Sequence, residues 1–485
     1  MLFNSLDFCL FLPIVFILYW FCFQKKLKAQ NILILAASYF FYSCWDWRFL
    51  FLLIFSTALD YYTALKVERA ATNTNRKFWF WLSIIVNLGF LGVFKYYDFF
   101  ASSFSEALSI LGFSANPWLL DMVLPVGISF YTFHGLSYVI DVYYKRINAE
   151  RNFVEYAVFV SFFPLLVAGP IERATHLLPQ IKVVRSFDYG RALDGMRQIL
   201  WGLFKKVVIA DNCAEYANIV FDGANNFSGS TMLLGAIFFS IQIYGDFSGY
   251  SDIALGTARL FGIELLKNFS FPYFSRDIAE FWRRWHISLS SWFRDYLYIP
   301  LGGNKGSMGI RIRNTFIIFI VSGFWHGANW TFIFWGALHA IYFLPLLLMK
   351  SNRNHLETVA AGKWLPTLSE LMKMLLTFLL VTFGWIFFRA VDMHHAFAFI
   401  DGMFTTEFFV SKAGDFARAT VHPAVLSFYL FIFFITEWMG RESHFALQKW
   451  GVGKSFLLRW FFYFFLLFSV LIYSGKQEQF IYFQF

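Results

Sequence analysis

The chain has 485 residues, of which 58% are hydrophobic, 23% are aromatic and only 15% are charged. A soluble domain carries more charge, about 25% of its residues, and cannot bury so many aromatic rings. This composition excludes disordered, collagenous and nucleic-acid-binding proteins, disfavours a soluble enzyme and indicates a polytopic membrane protein. The formal net charge of +9 fits the basic cytoplasmic loops of such proteins.

Apolar runs approaching the length of a membrane helix, about 20 residues, recur along the whole chain. They lie at 6–23, 31–45, 47–65, 78–97, 122–143, 193–212, 232–262, 312–325, 331–349, 374–390, 424–440 and 457–474. The run at 153–169 leads into Gly-Pro and is predicted to be re-entrant. We therefore expect an all-α polytopic integral membrane protein with about 11–12 transmembrane helices.

The charges of the connecting segments orient this array. Residues 24–30 and 66–77 are basic, whereas 98–121 and 213–230 contain acidic residues and no Lys or Arg. If the basic connections are cytoplasmic, both termini face outward.

The first polar cluster lies at 244–252, inside a long apolar run. It contains Asp246 and Asp252 together with two glycines and two serines. Ionisable groups at membrane depth are expensive, so these carboxylates are candidates for the wall of a polar cavity. The structural alternative is tight helix packing in which each carboxylate is held by a hydroxyl or an arginine.

The second cluster, at 281–303, is rich in Trp and Arg. If it is helical, one face carries Trp282, Trp285, Leu289 and Trp292. Phosphate or carboxylate groups would then be within reach of Arg283, Arg284 and Arg294. The alternative is an interfacial helix whose Trp and Arg side chains lie at the level of the lipid headgroups.

The third cluster, at 322–331, contains His326 in an almost uncharged apolar run. It follows Trp325, and Gly327 next to it ends the span and opens space beside the imidazole, while Asn329 is a polar neighbour. A histidine in such a run is commonly a helix-packing residue, but imidazole is also the side chain suited to proton transfer near neutral pH. No HExxH or paired His/Cys pattern predicts a metal site.

Several of these stretches resemble the membrane-bound O-acyltransferase family, in particular its bacterial alginate and polysaccharide O-acetylation branch and the related D-alanyl transfer proteins of teichoic acids. The most specific are Arg-Arg-Trp-His at 283–286 and Trp-His-Gly at 325–327. Further similar stretches lie at 11–14, 124–133, 169–173, 246–252, 295–303 and 480–483. The resemblance predicts a single domain over residues 1–485 with its core motifs at 244–340.

The resemblance implies a ring-like helical bundle, with re-entrant or interfacial helices, around a central tunnel. It implies acyl transfer from a cytoplasmic thioester donor, acetyl-CoA, to a hydroxyl on the far side, with no bound cofactor or metal. The family's histidine corresponds to His326 and a second polar position to His286. The resemblance also implies an exported polysaccharide as acceptor and a separate extracytoplasmic acyltransferase as partner. It implies a location in the bacterial inner (cytoplasmic) membrane.

The residue types fit this chemistry. His326 is the candidate general base that activates a sugar hydroxyl, and His286 would orient the donor or assist proton transfer. Asn329 is a candidate for holding the developing oxyanion. The arginines of the second cluster suit the phosphates of acetyl-CoA.

Three other functions remain open from the sequence. D-alanyl transfer to teichoic acid is the nearest enzymatic alternative. A transporter or flippase would share the apolar spans and the buried charges, although no internal repeat is visible. A nonenzymatic scaffold is disfavoured by the density of His, Arg and Trp at 281–330.

Overall fold

The fold was obtained as a computed structural model. It describes residues 1–113, 116–167, 169–223, 227–404, 416, 419–451, 455–475 and 478–483. Over these residues the chain forms α-helices with short π and 3-10 segments and no β-strand. The prediction of an all-α polytopic membrane protein is confirmed.

The described chain forms two compact units, the first of which comprises Met1–Gly195 and Ala254–Leu266. Its helices are α1 (Leu6–Ile17), α2 (Leu27–Ser43), α3 (Trp47–Arg69), α4 (Asn73–Leu91), α5 (Tyr97–Ile110), α6 (Ile128–Tyr143), α7 (Phe153–Ser161), α8 (Phe163–Leu166) and α9 (Ala174–Ile181). Short π segments follow α1 at Leu18–Cys22 and α4 at Gly92–Tyr96.

The second unit comprises Met196–Ile253 and Lys267–Phe485. Helix α10 (Tyr189–Leu203) leads the chain into this unit, and helix α12 (Gly229–Leu260) leads it out. The other helices are α11 (Asp211–Asp222), α13 (Ile278–Arg284), α14 (Ile287–Phe293), α15 (Met308–His326), α16 (Trp330–Leu348), α17 (Leu368–Arg389), α18 (Met393–Met403), α19 (Pro423–Gly440) and α20 (Phe456–Tyr473). The π segments are Phe204–Ala210 and Arg294–Tyr298, and the 3-10 segments are Pro272–Phe274 and Ile481–Phe483.

Seven helical stretches of the described chain are long and apolar enough to cross a membrane. They are Trp47–Arg69, Asn73–Ile110, Gly229–Leu260, Trp330–Leu348, Leu368–Arg389, Pro423–Gly440 and Phe456–Tyr473. Other predicted spans form shorter or interrupted helices: the run at 122–143 becomes helical only at Ile128, and the run at 193–212 passes into a π-helix. Short helices at membrane depth are tolerated where protein buries them.

The predicted re-entrant run at 153–169 forms the two short helices α7 and α8, and Ala168 at its end lies outside the described residues. The loop that follows is tied to α6, because the backbone N–H of Glu172 donates to Nε2 of His134 at 3.0 Å. His134 therefore links this loop to α6 within the first unit. Entry and exit of the run on one side of the bilayer stay a prediction.

Helices α15 and α16 form a tight hairpin that fixes the end of α15. A Cβ atom added at Gly336 would lie 2.3 Å from the carbonyl oxygen of Phe319, and one added at Gly323 would lie 2.2 Å from that of Phe332. Such close approach of two backbones requires small residues at the contact. The hairpin turns where α15 ends at His326, before Gly327, as the sequence predicted.

The second polar cluster differs from its prediction as one helix. Helix α13 ends at Arg284 and α14 begins at Ile287, because His286 adopts a left-handed conformation with φ 44°. The four apolar positions therefore do not share one helical face. The break is stabilised by backbone hydrogen bonds to a preceding extended segment: Ile287 N–H donates to the carbonyl of Asn268 at 2.9 Å, and Ser270 N–H donates to that of Arg284 at 3.0 Å.

The tight hairpin predicts that Gly336→Ala destabilises the protein. Its added methyl overlaps a backbone carbonyl, and overpacking of this kind costs about 1–3 kcal/mol. Thermal unfolding in detergent should show a lower midpoint. The matched control is Gly89→Ala in α4, where an added Cβ meets no atom within 4 Å. Equal midpoints for the two variants would contradict the close packing of α15 and α16.

Candidate functional site

Two histidines that lie 40 residues apart in the sequence meet inside the second unit. The ring centroids of His286 and His326 are 6.3 Å apart. Both residues are buried, with 1% and 3% of their surface exposed. The structure thus brings together the two imidazoles that the sequence nominated.

Aromatic rings surround His326. Ring centroids near it include those of Trp325 at 4.9 Å, Trp335 at 5.3 Å and Phe388 at 5.3 Å. Trp325 also lies 5.9 Å from His286, so its indole contacts both imidazoles. A wall of this kind excludes water and strengthens electrostatic interactions with any polar group inside it.

Tyr482 is a site residue that the sequence reasoning did not single out. It belongs to the 3-10 segment Ile481–Phe483 near the end of the chain, and its ring lies 5.5 Å from His326 and 6.3 Å from His286. Its ring thereby lies beside the imidazole pair. The sequence signal was its place in the stretch at 480–483, which carried the resemblance but was given no role.

His286 is held as a neutral imidazole. Burial lowers the pKa of this side chain from its usual value near 6.5 to about 3. Within the described part of the chain, neither ring nitrogen has a hydrogen-bond partner. The nearest ring is that of Phe247, edge-on at 4.7 Å. A buried, uncharged imidazole has one N–H donor and one acceptor nitrogen available for a ligand.

Both carboxylates of the first polar cluster are paired with lysines. Lys206 Nζ lies 2.8 Å from Asp246 Oδ1, and Lys205 Nζ lies 2.6 Å from Asp252 Oδ2. These lysines were missed, although two adjacent cations inside the predicted span at 193–212 were a visible signal. The pairing resembles the structural alternative, with lysine in place of the expected hydroxyl or arginine.

The three arginines of the second cluster lie in different environments. Arg284 forms a buried ion pair with Glu280 at 2.8 Å, and Glu280 also pairs with Arg276 at 3.1 Å. Arg283 donates to the backbone carbonyls of Asn352 and His355, each at 2.7 Å. Arg294 forms an exposed pair with the neighbouring residue Asp295 at 2.7 Å.

A cavity of about 550 Å³ lies in the second unit beside α13 and α14. Its polar lining includes Arg283, Arg294, Tyr298, Asn304 and Arg353. Arg353 is exposed and forms no ion pair or hydrogen bond with the described residues. Arg284 is not part of this lining, so the structure brings two of the three predicted arginines together and adds Arg353, from a loop that the sequence reasoning did not connect with them.

Asn329 lies at the start of α16. Its Oδ1 accepts from the backbone N–H of Thr331 at 3.0 Å, and its Nδ2 donates to the carbonyl of Val391 at 2.7 Å. The side chain therefore caps the helix and ties α16 to the segment after α17. The oxyanion role proposed for Asn329 stays a prediction, and the amide is already engaged at both ends.

Among the residues that the structure describes, no group of three His, Cys, Asp or Glu side chains comes together. The fold and the site define a polytopic helical membrane protein with a buried pair of imidazoles, internally paired charges and a basic cavity.

The membrane-bound O-acyltransferase family profile matches residues 143–381 of the chain. The probable alginate O-acetylase AlgI of Pseudomonas aeruginosa is 40% identical over 408 residues, covering 84% of this chain and 75% of the relative. The peptidoglycan O-acetyltransferase of Helicobacter pylori is 37% identical over 432 residues, covering 83% and 80%. The teichoic acid D-alanyltransferase of Bacillus subtilis is 29% identical over 284 residues, covering 56% and 70%.

The chain therefore belongs to the membrane-bound O-acyltransferase family. It is an O-acyltransferase, and the resemblance seen in the sequence is confirmed.

The buried arginine cluster predicts that Arg284→Gln lowers stability. The change removes one of the two guanidinium groups that neutralise Glu280, and breaking a buried ion pair costs about 3 kcal/mol. Thermal unfolding should show a clear decrease in the midpoint. Arg294→Gln, which removes an exposed pair worth about 1 kcal/mol or less, is the control. A midpoint for Arg284→Gln equal to that of Arg294→Gln would show that the Glu280 pair has no such weight.

Proposed function

We propose that this O-acyltransferase takes an acetyl group from acetyl-CoA in the cytoplasm and passes it across the inner membrane to hydroxyls of an exported polysaccharide or to an extracytoplasmic acyltransferase partner. The observation that carries the proposal is the buried contact of His286 with His326. The names of the alginate and peptidoglycan relatives support acetyl transfer to a polymer. The D-alanyltransferase relative covers less of this chain, which favours acetyl over D-alanyl transfer.

His326 acts in this proposal as the general base. A sugar hydroxyl is a poor nucleophile at neutral pH, and removal of its proton by a positioned imidazole accelerates the attack typically by about 10²–10⁴-fold. The aromatic wall around His326 excludes water that would otherwise hydrolyse the donor. In this proposal, the ring of Tyr482, 5.5 Å from His326, carries its hydroxyl to the reacting group.

His286 would orient the donor. Because its imidazole is neutral and buried, its ring N–H is available to the acyl carbonyl oxygen. A fixed hydrogen-bond donor that points at the oxygen on which negative charge develops stabilises the transition state. The effect is stronger in a site without water than in water. The left-handed backbone at His286 fixes the direction in which this side chain leaves the chain.

The cavity beside α13 and α14 fits the charged part of the donor. Its volume of about 550 Å³ is in the range of ligand pockets, which is about 300–1,000 Å³. Arg294 and Arg353 carry the guanidinium groups that phosphates prefer. The guanidinium of Arg283 donates hydrogen bonds to the carbonyls of Asn352 and His355. These bonds position the loop that carries Arg353.

Acetyl transfer across the membrane requires a passage between the two aqueous sides, and the ring-like bundle with a central tunnel belongs to this proposal. The charged carrier would remain in the cytoplasm while the small acyl group crosses. A separate extracytoplasmic transferase would then complete delivery to the polymer.

The general-base assignment predicts that His326→Ala abolishes acetyl incorporation from radiolabelled acetyl-CoA, by at least 10²-fold, because the acceptor hydroxyl keeps its proton. The protein should still insert and run as a folded species on gel filtration. His339→Gln, at another buried imidazole of the second unit, should stay within about threefold of wild type. Near-normal incorporation by His326→Ala would remove the general-base role.

The donor cavity predicts a selective effect of Arg294→Gln and Arg353→Gln. Each should raise KM for acetyl-CoA about tenfold, the worth of about 1.4 kcal/mol, with little change in kcat. Transfer from acetyl-pantetheine, which lacks the nucleotide phosphates, should be unaffected. Lys363→Gln, an exposed lysine outside the cavity lining, serves as the control. Equal losses with both donors would reject the phosphate assignment.

A further inference from the structure

Residues 478–483 are held in an unusual way. They contain a single 3-10 turn, Ile481–Phe483, and yet place the ring of Tyr482 against both imidazoles. A segment with so little regular structure leaves backbone N–H and C=O groups that need partners.

Two buried side chains supply these partners, one for each kind of group. Lys206 Nζ donates to the carbonyl oxygen of Glu478 at 3.0 Å, and Asp246 Oδ2 accepts from the backbone N–H of Ile481 at 2.7 Å. The two side chains form an ion pair at 2.8 Å and are only 1% and 2% exposed. Asp211 adds a second carboxylate 2.7 Å from Lys206 Nζ.

Aromatic contacts on the same helix complete the attachment. Phe480 lies 4.5 Å from Tyr250, and Tyr482 lies 4.5 Å from Phe247, by ring centroids. Phe247 follows Asp246 directly in α12 and also lies edge-on to His286. The face of α12 that anchors the backbone of the terminal segment therefore also orients its rings toward the imidazole pair.

We propose that Lys206 and Asp246 are positioning residues that clamp the terminal segment 478–483 and so keep Tyr482 in the acyl-transfer site. The assignment of that site rests on the proposed function, whereas the clamp itself rests on the contacts above. A hydrophobic pair would fill the same space, but it would satisfy neither the N–H of Ile481 nor the carbonyl of Glu478. Burial of two charges is explained because each serves the backbone of the segment as well as its partner.

The clamp is tested without any enzymatic assay. In a variant whose four native cysteines are replaced by serine, Ile481→Cys reports exposure of the segment, because Ile481 is 1% exposed. Asp246→Ala should raise the rate of maleimide labelling at this position at least tenfold. Asp246→Asn, which keeps an acceptor oxygen for the Ile481 N–H, should raise it less.

The neighbouring ion pair provides a matched control. Lys205 pairs with Asp252 in the same way, 2.6 Å apart, and among the described residues it forms no hydrogen bond or ion pair with the terminal segment. Asp252→Ala should therefore leave the labelling rate within about twofold of the parent, even if it lowers thermal stability. Equal labelling rates for the parent and Asp246→Ala, or equal acceleration by both alanine variants, would overturn the clamp.

The link to catalysis is tested with a double-mutant cycle. Asp246→Ala and Tyr482→Phe should each lower kcat for acetyl transfer at least tenfold, with KM for acetyl-CoA unchanged. The kcat of the double variant should equal that of the less active single variant. Both changes remove the same contribution, that of the positioned Tyr482 hydroxyl, so their effects do not multiply. Asp246→Asn should recover most of the loss.

Multiplicative losses in the cycle would show that Asp246 acts independently of Tyr482 and would overturn the positioning role. If the wild-type protein transfers no acetyl group from acetyl-CoA, the proposed function fails, and the labelling rates still decide whether the clamp exists.

Discussion

The cost of burying charge governs the second unit of this protein. In an apolar surrounding, an unpaired ammonium or carboxylate is costly, and a neighbouring group of opposite sign reduces that cost. Lys205 and Lys206 are paired with Asp252 and Asp246, which bring carboxylates from α12 to the π segment Phe204–Ala210. These two ion pairs thus neutralise four charges beside the imidazole pair.

The proposed reaction centre follows the opposite rule, because its buried His286 imidazole carries no charge. A neutral imidazole can be buried without a counter-ion, and burial lowers the pKa of His286 and keeps it in this form. His326 and Tyr482 lie beside it among aromatic rings. On the proposed function, these groups respond to the charge that develops on an acyl group during transfer.

The aromatic residues also build the surroundings of His326. From composition alone, 23% aromatic residues indicated only a membrane protein. In the structure, Trp325, Trp335 and Phe388 contact His326 directly. Aromatic rings are large and have few rotamers, so they build a dry and rigid wall at low cost in conformational entropy.

The sequence could predict groups whose signal is local. A polar residue inside an apolar run is visible within a few positions of the sequence. Examples are His326 before Gly327, Asp246 and the arginines of the second cluster. The contacts that complete the site are long-range: Ile481 donates to Asp246 across 235 positions, which no helical period reveals. The same limit explains the missed break at His286, because the partners that stabilise it lie in an earlier extended segment.

On the proposed function, the placement of the basic cavity beside the imidazole pair separates the charged part of the donor from its acyl group. Trp282 lines the cavity and contacts Trp335 at 5.6 Å, and Trp335 in turn contacts His326 at 5.3 Å. Ile287, which directly follows His286, lines the same cavity. The rings of Trp282 and Trp335 therefore connect the lining of the cavity with His326, the proposed general base. The desolvation free energy that opposes passage between such rings is high for charged phosphates and low for an acetyl group. On the proposed function, this difference confines the carrier to the cavity and lets only the acyl group reach His326.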